Sequence, residues 1–162
     1  MPRRKQNPQS LKQTVSTAIK KIVWRVAIYI RLSKDDGNDE SYSVKNQRER
    51  LNDTLEQIML DEDGIEFVGY YIDDGFTGVD SDRDDFQRLL TDIHNGKVNC
   101  VLVKDLSRLS RNDWECKYYL QMLFVKLNVR FISLELPKLD SFKRPEGVYE
   151  LDVSFQSMYN EN

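Results

Sequence analysis

Even-numbered positions from Trp24 to Leu32 are all apolar (Trp24, Val26, Ile28, Ile30, Leu32), while the odd ones run Arg25, Ala27, Tyr29, Arg31, Ser33. Side chains two apart share a face of a strand. The alternation therefore predicts a strand over 22–33, with Tyr29, Arg31 and Ser33 on one side near its C-terminal end. A polar loop, 34–42, precedes a stripe of Val44, Gln47, Leu51, Leu55 and Ile58, which predicts a helix over 43–60. A second strand is predicted over 65–73. After a loop from Asp74 to Asp82 comes a helix over 83–94, with Phe86, Leu89, Leu90 and Ile93 on one face and Asn95-Gly96 as its stop. Residues 98–103 are apolar on both faces, as in the middle of a parallel sheet. The charged segment 104–111 leads to a helix over 112–127, capped by Asn112 or Asp113, and then to a fourth strand over 129–136. Past Pro137 the periodicity weakens, with a further helical start over 148–158.

Strand and helix alternate through the chain. That order predicts an α/β fold: an open, mostly parallel sheet of four to five strands with helices on both faces. In such sheets sites form beyond the C-terminal ends of the strands. Ser33, Asp74 and the segment 104–111 all follow strand ends, and Arg83 follows one through a longer loop. The expected organisation is a basic tail over 1–21, the α/β unit over 22–137, and a linker with the start of a truncated helix over 138–162.

Composition narrows the class. The 162 residues are 40% hydrophobic and 31% charged, enough for one packed core. The net charge of −3 argues against strong nucleic-acid binding by the chain as a whole. The charge is uneven, however: residues 1–25 carry Arg3, Arg4, Lys5, Lys12, Lys20, Lys21 and Arg25 and no acid. Such a tail either touches nucleic acid or acts as a solubilising leader. There is no apolar run of ~18 residues to span a membrane and no apolar segment of a secretory signal. Cys100 and Cys116 have no CxxC spacing and read as reduced core or surface residues, in keeping with a cytoplasmic setting.

Much chemistry is missing. The single histidine, His94, sits at a helix end, so no Ser-His-Asp triad or His/Cys metal cluster is available. No glycine-rich phosphate loop exists. The acids Asp73, Asp74 and Asp80 to Asp85 allow a divalent-metal reading, but a solvated turn and an acidic helix start explain them more simply. What the chain does hold is a hydroxyl with arginines around it. Arg31 shares the strand face of Ser33, and is either bridged to Asp73, Asp74 or Asp105 or waiting for an anion. In Lys104-Asp105-Leu106-Ser107-Arg108-Leu109-Ser110-Arg111, the arginines lie three apart at a helix start, so that both can face one point. Cations there oppose the helix dipole, a cost more readily borne if an anion binds. Arg83 repeats the arrangement. A serine, several arginines and no histidine best suit attack of a hydroxyl on a phosphodiester, with guanidinium groups stabilising the pentacoordinate transition state. Asp105 is a candidate base. Gln47, polar on an apolar stripe, either bonds backbone or orients the phosphate.

These strings resemble the serine recombinase (resolvase/invertase) family, and within it the large serine recombinases of transposons and phages. The resemblance rests on Tyr29-Ile30-Arg31-Leu32-Ser33, Ser43-Val44-Lys45-Asn46-Gln47, Asp74-Gly75-Phe76-Thr77-Gly78 followed by Arg83, and Val103 to Asn112, in the family's order over about 25–135. It implies a resolvase-like catalytic fold performing site-specific recombination of double-stranded DNA through a 5′-phosphoserine link at Ser33. Arg31, Arg83, Arg108 and Arg111 would hold the scissile phosphate, Gln47 would support them, and Tyr29, Lys104, Asp105 and Ser107 would assist. It further implies dimers and tetramers in the full-length protein and neither cofactor nor metal for the chemistry. Small resolvases carry an aspartate where this chain has Ser107, which puts a carboxylate role at that position in doubt. The family's long helix should begin near Val153, so the chain reads as an N-terminal catalytic fragment, impaired in recombination on its own. The reading from another class is a catalytically inactive resolvase-like module for protein assembly or regulation. Arg108→Ala is expected to suppress the covalent adduct while leaving folding largely intact.

Overall fold

A computed structural model describes residues 21–32, 40–73 and 83–151, the first four of the second stretch by backbone alone. Strand β1 (Trp24–Arg31) is followed by helix α1 (Glu40–Asp61), β2 (Ile65–Asp73), α2 (Asp84–His94) and β3 (Cys100–Val103). A short 3-10 turn, Leu106–Arg108, then leads to helix α3 (Asp113–Lys117), which continues as a π-helical stretch, Tyr118–Leu123, and a last α-turn, α4 (Phe124–Lys126). Strands β4 (Arg130–Ser133) and β5 (Leu139–Asp140) and a 3-10 turn, Pro145–Tyr149, complete the described chain.

The five strands form one sheet in the order β2-β1-β3-β4-β5, parallel except for the antiparallel pairing of β4 with β5. The α/β expectation of four to five mostly parallel strands with helices on both faces therefore holds. The alternation in β1 sorts the two layers. Trp24, Val26, Ile28 and Ile30 are buried with Leu51 and Leu55 of α1, while Ala27 and Tyr29 are buried with Phe86, Leu89 and Ile93 of α2 and with Leu120 and Phe124. Because β1 pairs with β2 on one side and β3 on the other, the chain reverses its direction of travel across the sheet at β1. The C-terminal end of β1 is thus the switch point at which open α/β sheets place their sites.

Three elements depart from the sequence expectation. The helix expected over 112–127 is broken by six residues of π-helix, a local widening of the turn that periodicity alone does not register. The fourth strand stops at Ser133 instead of running to 136, because the amides of Leu134 and Glu135 turn to the Lys104 carbonyl (3.1 and 3.0 Å). Beyond Pro137 a two-residue strand and a 3-10 turn replace weak periodicity, and Leu139, Val148 and Leu151 join the same core as Tyr29. The expected helix over 148–158 falls outside the described residues from 152 onward, as does the basic tail up to Lys20.

Both cysteines are reduced and buried. Burial pushes the Cys100 thiol up to about 12 and the Cys116 thiol up to about 11. Thiolate is the reactive form, so iodoacetamide at pH 8 should label neither cysteine in the native protein and both in denaturant. Rapid native labelling, read by intact mass, would contradict this packing.

Candidate active site at the C-terminal edge of the sheet

Three of the quoted strings fall wholly or partly outside the described residues: Ser33, the stretch Asp74 to Asp82, and the side chain of Ser43. What is described is the ground around the end of β1, the strand that leads into Ser33.

Asp73, the last residue of β2, pairs in register with Arg31. The strand period puts it on the face of Tyr71, which is buried, and Asp73 is itself only 6% exposed. Its carboxylate accepts hydrogen bonds from the Tyr29 hydroxyl (2.8 Å) and from the backbone amides of Asp85 and Phe86 (3.0 Å each). In return the Asp85 carboxylate accepts from the Ile72 amide at 2.8 Å. The N-terminus of α2 is thus capped from the neighbouring strand, since Arg83 at the cap position makes no side-chain cap. The solvated turn expected for Asp73 is corrected: it is a buried capping residue, as its two-residue spacing from Tyr71 could have indicated. Among the described residues, no group of His, Cys, Asp and Glu is arranged to hold a metal ion.

Tyr29 joins this cap to the arginines. Its side chain is buried, and burial, with help from Asp73, raises its hydroxyl above the ordinary tyrosine value against the opposing pull of Arg83. The hydroxyl therefore stays protonated. It donates to Asp73 and accepts from Arg83 Nε (3.3 Å) and Nη2 (3.1 Å). The Arg83 guanidinium lies 3.9 Å from the Phe86 ring centroid, and its Nη2 also donates to the Arg108 carbonyl at 3.1 Å. Arg83 thereby fastens β1 to the segment after β3.

Arg108 makes the second tie. It sits in the 3-10 turn between fully buried Leu106 and Leu109, is itself 5% exposed, and donates from Nη1 to the Arg31 carbonyl at 2.6 Å. Its Nε lies 3.4 Å from Asp105 Oδ2. Asp105 caps the turn through the Ser107 amide (3.0 Å) and also accepts from the Ser107 hydroxyl. The Cys116 thiol steadies the same segment by donating to the Ser110 carbonyl at 3.1 Å.

The remaining candidates lie elsewhere. Arg111 does not share a setting with Arg108: it is exposed, in a shallow recess with Trp114 and Lys117, because the 3-10 turn ends before it. The first free amides of α3 are taken by Asn112, which accepts from Trp114 (2.9 Å) and Glu115 (3.3 Å), so the expectation of an Asn112 cap holds. Lys104 turns to Glu135 (3.7 Å), which Arg50 also contacts (3.1 Å). Gln47 is buried on α1, one turn before Leu51. The structure thus connects Tyr29, Arg83, Arg108, Asp105 and Ser107 with the Arg31 backbone, and adds Asp73.

The family profile described as "Resolvase, N terminal domain" matches residues 26–158. No match to curated proteins was found. Among solved structures, the N-terminal catalytic domain of TP901-1 integrase is similar at 29% identity and a TM-score of 0.62, over 85% of this chain and 96% of that one. A resolvase family site-specific recombinase from Streptococcus pneumoniae is similar at 30% identity and a TM-score of 0.64, over 85% and 89% of the two chains. The C-terminal catalytic domain of ISC1926 TnpA, an IS607-like serine recombinase, shares the fold at 23% identity and a TM-score of 0.53, over 68% of this chain and 70% of that one. With a sheet-edge site fastened by Arg83 and Arg108 and a family match over most of its length, this chain belongs to the resolvase family and has the fold of a serine recombinase catalytic domain.

Proposed function

We propose that the chain catalyses site-specific recombination by cutting and rejoining double-stranded DNA through Ser33. The observation that carries this reading is the attachment of two arginines at the end of the strand leading into Ser33. Arg83 is bound to the Tyr29 hydroxyl, and Arg108 to the Arg31 carbonyl. Guanidinium groups match phosphate oxygens and stabilise charge developing on them. In the proposed step Ser33 Oγ bonds to phosphorus and the bond to the 3′-oxygen breaks. The serine proton leaves to a base, and the 3′-oxygen takes up a proton. The product is a 5′-phosphoserine link and a 3′-hydroxyl. One phosphoester replaces another, so attack by a 3′-hydroxyl reverses the step and reseals DNA without an external energy source. Arg31, Arg83 and Arg108 hold the phosphate, Arg111 meets the DNA from its exposed position beyond the turn, and Gln47, Tyr29, Lys104 and Ser107 support them.

Exchange of strands between two sites requires several subunits, and we place the reaction in a tetramer assembled from dimers. Trp114, Tyr118, Met122 and Val125 are all exposed at helical spacing, an apolar stripe that suits contact with a second copy.

The test uses a nicked duplex carrying the recombination site, so that the cut strand diffuses away and traps the covalent complex. Digestion and mass spectrometry should find a nucleotide on the peptide containing Ser33. A nucleotide on any other residue, or no adduct, overturns the reading.

A further inference from the structure

Asp105 is an acidic residue placed beside an arginine that the proposed reaction needs to meet an anion. It is 6% exposed, and a buried carboxylate is costly unless it is paired. Capping a three-residue 3-10 turn does not explain the charge, because Asn or Ser would accept from the Ser107 amide equally well. The charge is explained by the ion pair with Arg108, whose Nε lies 3.4 Å from Asp105 Oδ2, an electrostatic contact and not a hydrogen bond, while its Nη1 donates to the Arg31 carbonyl at 2.6 Å. The Ser107 hydroxyl bonds to Oδ1, leaving Oδ2 turned toward the guanidinium. Two edges of the Arg108 guanidinium are thus set, one by Asp105 and one by β1.

We propose that Asp105 is a positioning residue for the reaction: its carboxylate, anchored on Ser107, holds Arg108 in the orientation that reaches the end of β1. The proposal rests on the serine recombinase reading for its catalytic consequence, but its geometric part stands apart from it. It carries a specific corollary. The Ser107 side chain already lies within hydrogen-bond length of the Asp105 carboxylate, so a carboxylate on residue 107 occupies nearly the same space and can take over the pairing.

The experiment compares wild type, Asp105→Asn, and the double variant Asp105→Asn/Ser107→Asp. Asp105→Asn keeps the cap and removes the charge. On the nicked duplex, its single-turnover cleavage rate should fall about tenfold or more through misplacement of Arg108. Its Kd for the duplex should stay within about twofold, since a positioning defect acts on the chemical step more than on binding. The double variant should recover to within about threefold of wild type. Nitrogen-15 NMR of the free protein supplies a second arm. The Arg108 Nη1–H, which donates to the Arg31 carbonyl, should exchange slowly in wild type, rapidly in Asp105→Asn and slowly again in the double variant. A merely structural role would lower thermal stability without rescue by the moved carboxylate. Wild-type cleavage by Asp105→Asn, an unmoved Arg108 signal, or a folded double variant without recovery overturns the proposal. If wild type itself forms no adduct, the recombinase reading falls and the Arg108 signal still decides the role of Asp105.

Discussion

Arg108→Ala should reduce single-turnover cleavage of the nicked duplex by about a hundredfold or more, the usual scale for removing a charge-stabilising donor from a phosphoryl or acyl transfer site. The same variant should lose about 3 kcal/mol of stability in urea unfolding, because it strands a buried carboxylate. Arg108 is 5% exposed, is paired with Asp105 and donates to the Arg31 carbonyl. The expectation from sequence that folding is left largely intact is therefore revised, since a loop arginine has become a buried strut. Arg108→Lys keeps a charge but not the planar fork, and should fall between the two in rate. Arg111→Ala, at an exposed position, should change stability by no more than about 0.5 kcal/mol. Cleavage by Arg108→Ala at the wild-type rate would remove this arginine from the phosphate clamp.

The contrast between Arg108 and Arg111 shows where sequence reasoning stops. Both are arginines of one string, and their spacing of three allows a common target only if the intervening backbone is helical. The 3-10 turn ends at Arg108, so one arginine is buried and the other exposed. Periodicity was sufficient wherever an element buries a regular face. The β1 alternation sorted both cores, and the α1 stripe, with Gln47 in it, is buried along most of its length. It was insufficient where single polar contacts decide. Asp73 belongs to an acidic turn by sequence, but Tyr29 and the α2 amides bond its carboxylate. Lys104 belongs by sequence to the charged segment of the arginines, but its side chain pairs with Glu135 from a distant strand end. Such pairings join residues far apart in sequence, and no local pattern encodes them. The four strings still identified the family, because each is a short local pattern and the order of such patterns along the chain is legible without the contacts between them.

Arg130→Ala should be the most destabilising single change away from the active site, by about 3–5 kcal/mol, a large share of a typical domain's stability. The side chain of Arg130 is fully buried at the start of β4. It donates to both Glu62 oxygens (2.8 and 3.0 Å) and to both Asp140 oxygens (3.1 and 2.7 Å), so it joins the end of α1 to β5. Trp24 and Phe142 lie against it, with ring centroids 5.5 and 5.3 Å from its guanidinium carbon. Removal leaves two carboxylates without their shared cation, Glu62 keeping Lys143 at 2.8 Å and Asp140 keeping the backbone amides of Phe142 and Lys143. The cluster also sets an acid limb. The Arg130 hydrogen bonds hold the Glu62 carboxyl at about 2, below its ordinary value of 4.5, against the opposing effect of burial. A carboxyl depressed in the folded state stabilises above its unfolded value and ceases to do so as pH falls through its folded value. The Glu62 contribution should therefore be complete above pH 4.5 and decline from there toward pH 2, as followed by the urea midpoint. In Glu62→Gln that decline should be shallower by about one titrating group. At neutral pH this variant should lose less stability than Arg130→Ala, because the Arg130–Asp140 pair survives. Equal midpoints for Arg130→Ala and wild type would mean that the cluster adds nothing to folding, whatever its geometry.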